Sequence, residues 1–216
     1  AILANKDQQG KFFGILDGGR GLVEAILATL AIALFAYVLS QESGSTSMAL
    51  KQVIYLYVVV LLLVAPLVYW LLDDFDESAS GNKTIDSNFK DDLMTVLRHR
   101  EIWLCAICII CGYQLFYATY SFSAYLQENF GLSAVAVGTI TVAKLWMRPI
   151  GGIAAGFIGD WSSPEKVLCI LLVLASLALA IMAFLPTTSA SILMLVVVLL
   201  IGLLTYGVRG LYWATL

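Results

Sequence analysis

The chain has 216 residues, of which 61% are hydrophobic and only 12% charged, and its formal net charge is −3. Soluble domains carry roughly 45–50% apolar and about 25% charged residues, so this composition excludes a water-soluble enzyme and a disordered chain. A negative net charge offers no basic surface to a phosphate backbone, which excludes a nucleic-acid binder, and four cysteines are too few for a disulfide scaffold.

A membrane span takes about 20 apolar residues, and the apolar content suffices for about six. Six apolar segments can be read in chain order. The first covers 13–39 and the second 52–72. Residues 73–100 follow as a polar linker that opens on the acidic run Asp73, Asp74, Asp76 and Glu77, with one short amphipathic helix expected over 89–97. Four more spans are expected over 102–126, 132–158, 167–185 and 192–216. The domain plan is therefore 1–72, a linker 73–100, and 101–216. In lipid only helices and closed barrels satisfy every backbone polar group, and long runs without strict alternation read as helices. The expected fold is an all-α, polytopic transmembrane helical bundle. Short connections at 40–51, 127–131, 160–166 and 186–191 make successive spans antiparallel. Lys6, Lys11, Lys83, Lys90, Arg98, Arg100 and Lys166 fall on one side and Lys51 alone on the other, so the basic side is expected in the cytoplasm. With no initiator methionine, leader pattern or closing polar tail, the sequence reads as an interior piece of a longer chain.

Ionisable side chains inside spans cost about 2.5–3.5 kcal/mol each on insertion scales, so each is a functional candidate. Asp17, Arg20 and Glu24 fall at i, i+3 and i+7 on one face of the first span. They form either a self-neutralising structural cluster or, through Glu24 or Asp17, a proton-coupling site. Lys144 and Arg148, at i and i+4 near the middle of the 132–158 segment, repel each other unless an anion lies beside them. That anion is either a substrate or an acid on a helix outside this sequence. Arg209, with Tyr206 and Trp213 on its face, is a third cation of the same kind. These six side chains sum to a surplus of two positive charges. Tyr113, Tyr117 and Tyr120 form a stripe at i, i+4 and i+7 with Gln114 and Thr119 beside it, suited either to packing or to lining a wet cavity. Cys105, Cys108 and Cys111 imitate the start of an iron–sulfur run but lack its fourth cysteine and proline. The one histidine, His99, stands in the linker, and no span holds a metal-ligand or nucleophile–base set. Neither a metal nor a cofactor is called for.

The arrangement of two spans, a cytoplasmic linker and four spans resembles helices five to ten of a twelve-helix major facilitator superfamily transporter. Arg148-Pro149-Ile150-Gly151-Gly152 and then Gly156-Phe157-Ile158-Gly159-Asp160 resemble the signature loop of that family, with Gly156 and Asp160 as its core. Trp161, Ser162, Ser163, Pro164 and Glu165 stand where the signature has basic residues. The resemblance implies a secondary transporter working by alternating access, embedded in the lipid bilayer of the cell (inner) membrane and completed by further transmembrane helices. It also implies that the first and fourth spans meet, so Gly14, Gly18 and Gly21 are expected to pack on Gly152, Gly156 and Gly159, the alternative being packing within each half. The substrate expected from the cations is a small organic anion of sugar-phosphate, sulfonate or carboxylate type, bound by Lys144, Arg148 and Arg209 and flanked by Tyr113, Gln114, Tyr117 and Tyr120, with H+ as a possible co-substrate. An exporter of amphipathic compounds, in which the cations are structural, is the competing expectation.

Overall fold

A computed structural model of the chain describes residues 9–41, 44–71, 94, 97–186 and 191–211. The linker helix expected over 89–97, the acidic run at 73–77 and Trp213 lie outside the described residues, as do the side chains of Cys105 and Cys108. Among the described residues the structure is helical: α1 (Gln9–Leu39), α2 (Thr46–Leu71), α3 (Arg100–Ala118), a 3-10 turn (Thr119–Ser121), α4 (Phe122–Phe130), α5 (Ala134–Leu145), α6 (Met147–Trp161), α7 (Pro164–Ala183) and α8 (Ser191–Leu211). Five stretches among the described residues are long and apolar enough to cross a membrane: Gln9–Leu39, Thr46–Leu71, Ile102–Phe130, Pro164–Ala183 and Ile192–Leu211.

Several boundaries differ from those expected, each for a local reason. The segment expected as one span over 132–158 is broken at Trp146 into α5 and α6. Pro149 has no N–H to give the Leu145 carbonyl, so the ladder is interrupted one turn before it. This segment also runs on to Trp161, which places Asp160 in the last turn of a helix and not in the loop that follows. The next helix starts at once, with Pro164 in its first turn. At the other end Ser133 caps α5, its hydroxyl accepting from the Ala136 amide at 3.3 Å. The third span does not end at 126. It continues through a 3-10 turn to Phe130, where Gly131 at φ 63° closes it in the left-handed conformation. The second begins at Thr46, six residues before the expected start, so part of the 40–51 connection is helical.

Contacts divide the chain into two units, Ala33–Leu104 on the one hand and Ala1–Ile32 with Cys105–Leu216 on the other. In the first, α2 buries only Ala49 and presents the rest of its apolar surface outward. In the second, Leu126, Val137, Ala175, Met182, Val198 and Ile201 build a core shared by α4, α5, α7 and α8, and Ala155, Val167, Leu168, Val208 and Leu211 build another where α6, α7 and α8 meet.

Helix α6 lies between α1 and α8, and glycine lets it approach both. In lipid no hydrophobic drive separates helix–helix from helix–lipid contact, so association depends on close van der Waals approach. A Cβ on Gly14 would come within 2.7 Å of the Gly152 carbonyl, and one on Gly156 would strike the Gly10 carbonyl and reach 3.2 Å from the Gly14 Cα. Gly18 meets Ile153 and Pro149, whereas Gly21 makes room for the stem of Arg148. Gly159 does not take part on this side. It turns to Leu211 of α8, and Gly210 faces Gly152 so closely that a Cβ on it would come within 2.9 Å of the Gly152 Cα. The expected meeting of the two stripes thus holds at Gly14, Gly152 and Gly156, while Gly159 serves the opposite face.

These contacts order the glycines by consequence. Gly156→Val in the full-length protein is expected to destabilise by about 1–3 kcal/mol through overpacking. Gly19→Ala, with nothing within 4 Å of its Cβ, should be neutral or gain about 0.5–1 kcal/mol of helix propensity. Thermal unfolding of both variants in detergent checks the order.

Candidate functional site

Asp17 and Glu24 stand two turns apart on the face of α1 that meets α6. Between them comes Arg148, in the first turn of α6 directly after the break, and it is 1% exposed. Its Nη2 donates to Asp17 Oδ1 at 2.6 Å, its Nε to Asp17 Oδ2 at 3.3 Å, and its Nη1 to Glu24 Oε2. The fork is thus filled by a side-on carboxylate and an end-on one. Arg209 of α8 approaches the same Asp17 Oδ1 with its Nε at 3.8 Å. One carboxylate oxygen therefore serves two guanidinium groups from two helices.

Aromatic rings hold both cations. The Arg148 guanidinium lies 5.8 Å from the Tyr206 ring centroid, and that of Arg209 lies 5.0 Å from Phe116 and 5.9 Å from Tyr113. Phe116 meets Tyr206 edge-on at 5.8 Å and Tyr120 at 5.3 Å, so the rings form one continuous wall. Cation–π contact of this kind stabilises by about 0.5–2 kcal/mol and more where water is excluded. Phe116 and Tyr206 are absent from the set expected to contact substrate. The signal for Phe116 was available, since it lies three residues after Tyr113 and four before Tyr120.

Lys144 has different partners. It is 6% exposed, its Nζ donates to Thr119 Oγ1 at 2.9 Å, and it lies 5.7 Å from the centre of the Phe122 ring. Thr119 stands in the 3-10 turn, so the bond joins the irregular point between α3 and α4 to the last turn of α5. Gly202 of α8 makes the space, since a Cβ there would lie 2.6 Å from the Lys144 Cγ. Among the described residues no carboxylate forms an ion pair with Lys144.

Of the remaining expected residues, Gln114, Tyr117 and Tyr120 are exposed on the outer wall of α3 and the turn, with Tyr117 and Tyr120 rings 5.8 Å apart. Tyr113 is half-buried against Arg209. Arg20, expected to neutralise its neighbours, is exposed and takes no part in the pairs that hold Asp17 and Glu24. Arg148 does this instead, because its stem fits over Gly21 and presents a planar fork to both acids. The acids that neutralise it lie in this chain.

At the other end of α1, Asp160 accepts from the backbone amides of Gly10 and Lys11, both at 2.8 Å. The first amides of a helix have no partner within it, and a carboxylate there also meets the positive end of the helix dipole. Gly156, one turn earlier on α6, lies directly under Gly10. The two signature residues therefore act together, one by being small and the other by being charged. Trp146 adds a third tie, its indole N–H donating to Thr29 Oγ1 at 3.1 Å.

The sequence profile of the Major Facilitator Superfamily matches residues 2–216. Relatives include the inner membrane protein YqcE of Escherichia coli (strain K12), 32% identical over 99% of this chain and 51% of that protein, and the inner membrane protein YihN of the same organism, 30% identical over 87% and 44%. A nitrite extrusion protein of Bacillus subtilis (strain 168) is 26% identical over 90% of this chain and 43% of its own length. The chain spans about half the length of the curated relatives it matches. No solved structure matches it. The chain belongs to the Major Facilitator Superfamily and is part of a multi-pass protein of the cell membrane.

Removing Arg148 leaves Asp17, a half-buried acid, without its principal cation. Arg148→Gln is expected to destabilise the full-length protein by about 3 kcal/mol, the range measured when one partner of a buried pair is lost. Adding Asp17→Asn should restore part of that loss, whereas an independent pair of sites would show additive losses. Thermal unfolding of the two single variants and the double variant decides between these outcomes.

Proposed function

We propose that this major facilitator chain carries a small organic anion across the membrane as a secondary active transporter, by alternating access. Residues 1–72 and 101–216 would contribute to the two helical halves, joined by a cytoplasmic linker over 73–100. The observation that carries the reading is a charge cluster inside the spans with three cations, Lys144, Arg148 and Arg209, against two carboxylates, Asp17 and Glu24, in which Lys144 makes no ion pair among the described residues. A buried ammonium whose direct contacts are a hydroxyl and a ring favours an anion beside it. Sites at helix breaks near the bilayer midplane are the usual place for a transported ion to meet polar groups, and Lys144 lies between two such breaks.

In this reading Arg148 and Arg209 bind the anionic group and Lys144 balances its charge. Tyr113, Gln114, Tyr117 and Tyr120 line the path, and Glu24, the more exposed of the two acids, couples proton movement together with Asp17. The named cargo of one relative, nitrite, is a small inorganic anion, which supports an anionic cargo but not its organic character. An exporter of amphipathic compounds is the second reading. It is favoured by an apolar cavity of about 190 Å³ bounded by Ser121, Phe122, Tyr125, Leu179 and Met182.

Ligand-induced thermal stabilisation of the purified full-length protein separates the two. Matched small metabolites with and without a carboxylate, sulfonate or phosphate are tested on wild type and Lys144→Ala. A ligand at a hundredfold excess over its Kd stabilises by about 2.7 kcal/mol. Stabilisation confined to charged members and weakened in Lys144→Ala is expected. Equal stabilisation of both proteins by uncharged amphipathic compounds would overturn the anion reading.

A further inference from the structure

We infer that Asp17 is the resident occupant of a carboxylate-binding site made by Arg148 and Arg209, and that a carboxylate on the transported anion takes its place. The inference rests on the anion reading above and narrows its substrate class from three anion types to one.

The geometry argues for it in three steps. First, the two guanidinium groups converge on a single oxygen: Asp17 Oδ1 lies 2.6 Å from Arg148 Nη2 and 3.8 Å from Arg209 Nε. They come from different helices, α6 and α8, so nothing in the backbone of one helix forces this meeting, and an oxyanion must lie between two like charges for it to persist. Second, the Nε and Nη2 edge of Arg148 meets both oxygens of Asp17, the side-on fork that a planar carboxylate fills with two parallel bonds. The rings of Phe116, Tyr113 and Tyr206 set the guanidinium planes and leave that edge fixed. Third, the void on the aromatic side of Arg209 is too small for a second anion. The void between Arg209, Tyr113, Phe116, Thr205, Val208 and Gly112 measures about 10 Å³, the room of a single water. On that side of Arg209 a cargo carboxylate is accommodated by replacing Asp17, not by joining it.

Replacement also has a mechanical consequence. Asp17 belongs to α1 and its two cations to α6 and α8. While Asp17 fills the site, it ties α1 to both helices; when cargo fills it, the guanidinium groups stay satisfied, the tie to α8 is cut and α1 is held to α6 by the Glu24–Arg148 pair alone. The cargo thus interacts differently with the tied and untied arrangements, which is the requirement for a ligand to shift a conformational equilibrium.

Chemical rescue tests this directly. Asp17→Ala in the full-length protein removes the resident carboxylate and leaves a space of its size. Sodium acetate is titrated against it with sodium chloride at equal ionic strength as control and with methanesulfonate and methylphosphonate as tetrahedral probes; thermal stability is the readout. Acetate is expected to raise the Tm of Asp17→Ala saturably, with an apparent Kd about tenfold or more below that of wild type, a difference of about 1.4 kcal/mol. The tetrahedral anions should act more weakly, and Asp17→Ala/Arg148→Gln should lose the response. Acetate no better than chloride would overturn the inference, and so would equal rescue by all three probes. If Asp17→Ala does not fold, Asp17→Ser, which also leaves room for a carboxylate, replaces it under the same two criteria. Wild type and Lys144→Ala are run beside them with the matched metabolites. Failure of rescue with a Lys144-dependent metabolite shift intact rejects the resident-carboxylate site alone, whereas loss of both rejects the anion reading.

Discussion

A guanidinium that is 1% exposed inside an apolar bundle cannot stand alone. The cost of placing it there is offset only by full pairing, and Arg148 obtains that pairing from α1, a helix more than 120 residues earlier in the chain. The position of α1 against α6 is therefore set by charge as well as by shape. Gly21 has to be small because the Arg148 stem crosses α1 there, and Asp17 and Glu24 have to lie seven residues apart so that both reach one guanidinium. Arg209, Phe116 and Tyr206 then follow as the groups that close the remaining sides. Little in this region could be changed without moving Arg148.

The glycines make that pairing geometrically possible. Charged side chains as short as aspartate reach across a helix pair only when the backbones approach closely, and Gly14, Gly152 and Gly156 bring α1 and α6 into near backbone contact. The same helix offers Gly151 and Gly159 to α8 on its other side, so α6 carries small residues on two faces. The break before it, at Trp146, gives α6 a direction independent of α5. One proline and a set of glycines thus place a charged residue where three helices can address it.

Much of this was legible in the sequence, and the remainder was not for identifiable reasons. The all-α membrane class followed from composition, and the charged positions inside spans followed from their cost in lipid. The glycine stripes were visible as periodicity. What periodicity within one helix does not carry is the rotation of that helix against another. Asp17, Arg20 and Glu24 share a face by counting, yet Arg20 points away from the pairs while Arg148, 131 positions after Asp17, supplies the charge. The partners of Asp160 are backbone amides, which no side-chain motif announces. The division at Trp146 had a signal in Pro149, but hydropathy read straight through it because both pieces are equally apolar.

Three ties hold α1 against the following helices, and they differ in what could replace them. Asp160 serves the amides of Gly10 and Lys11, and Thr29 serves the Trp146 indole. Water can satisfy the first set when the helix end is exposed, and a hydroxyl elsewhere can satisfy the second. Asp17 pairs with two cations, sharing Arg148 with Glu24 and serving Arg209 by itself, and another anion can release it without leaving charge unpaired in a low-dielectric setting. In the proposed mechanism, release of α1 at this point therefore depends on the arrival of cargo or the protonation of a carboxylate, while release at the other two does not. The untied arrangement without an anion is disfavoured in that mechanism, because it leaves Arg209 uncompensated and Arg148 with Glu24 alone.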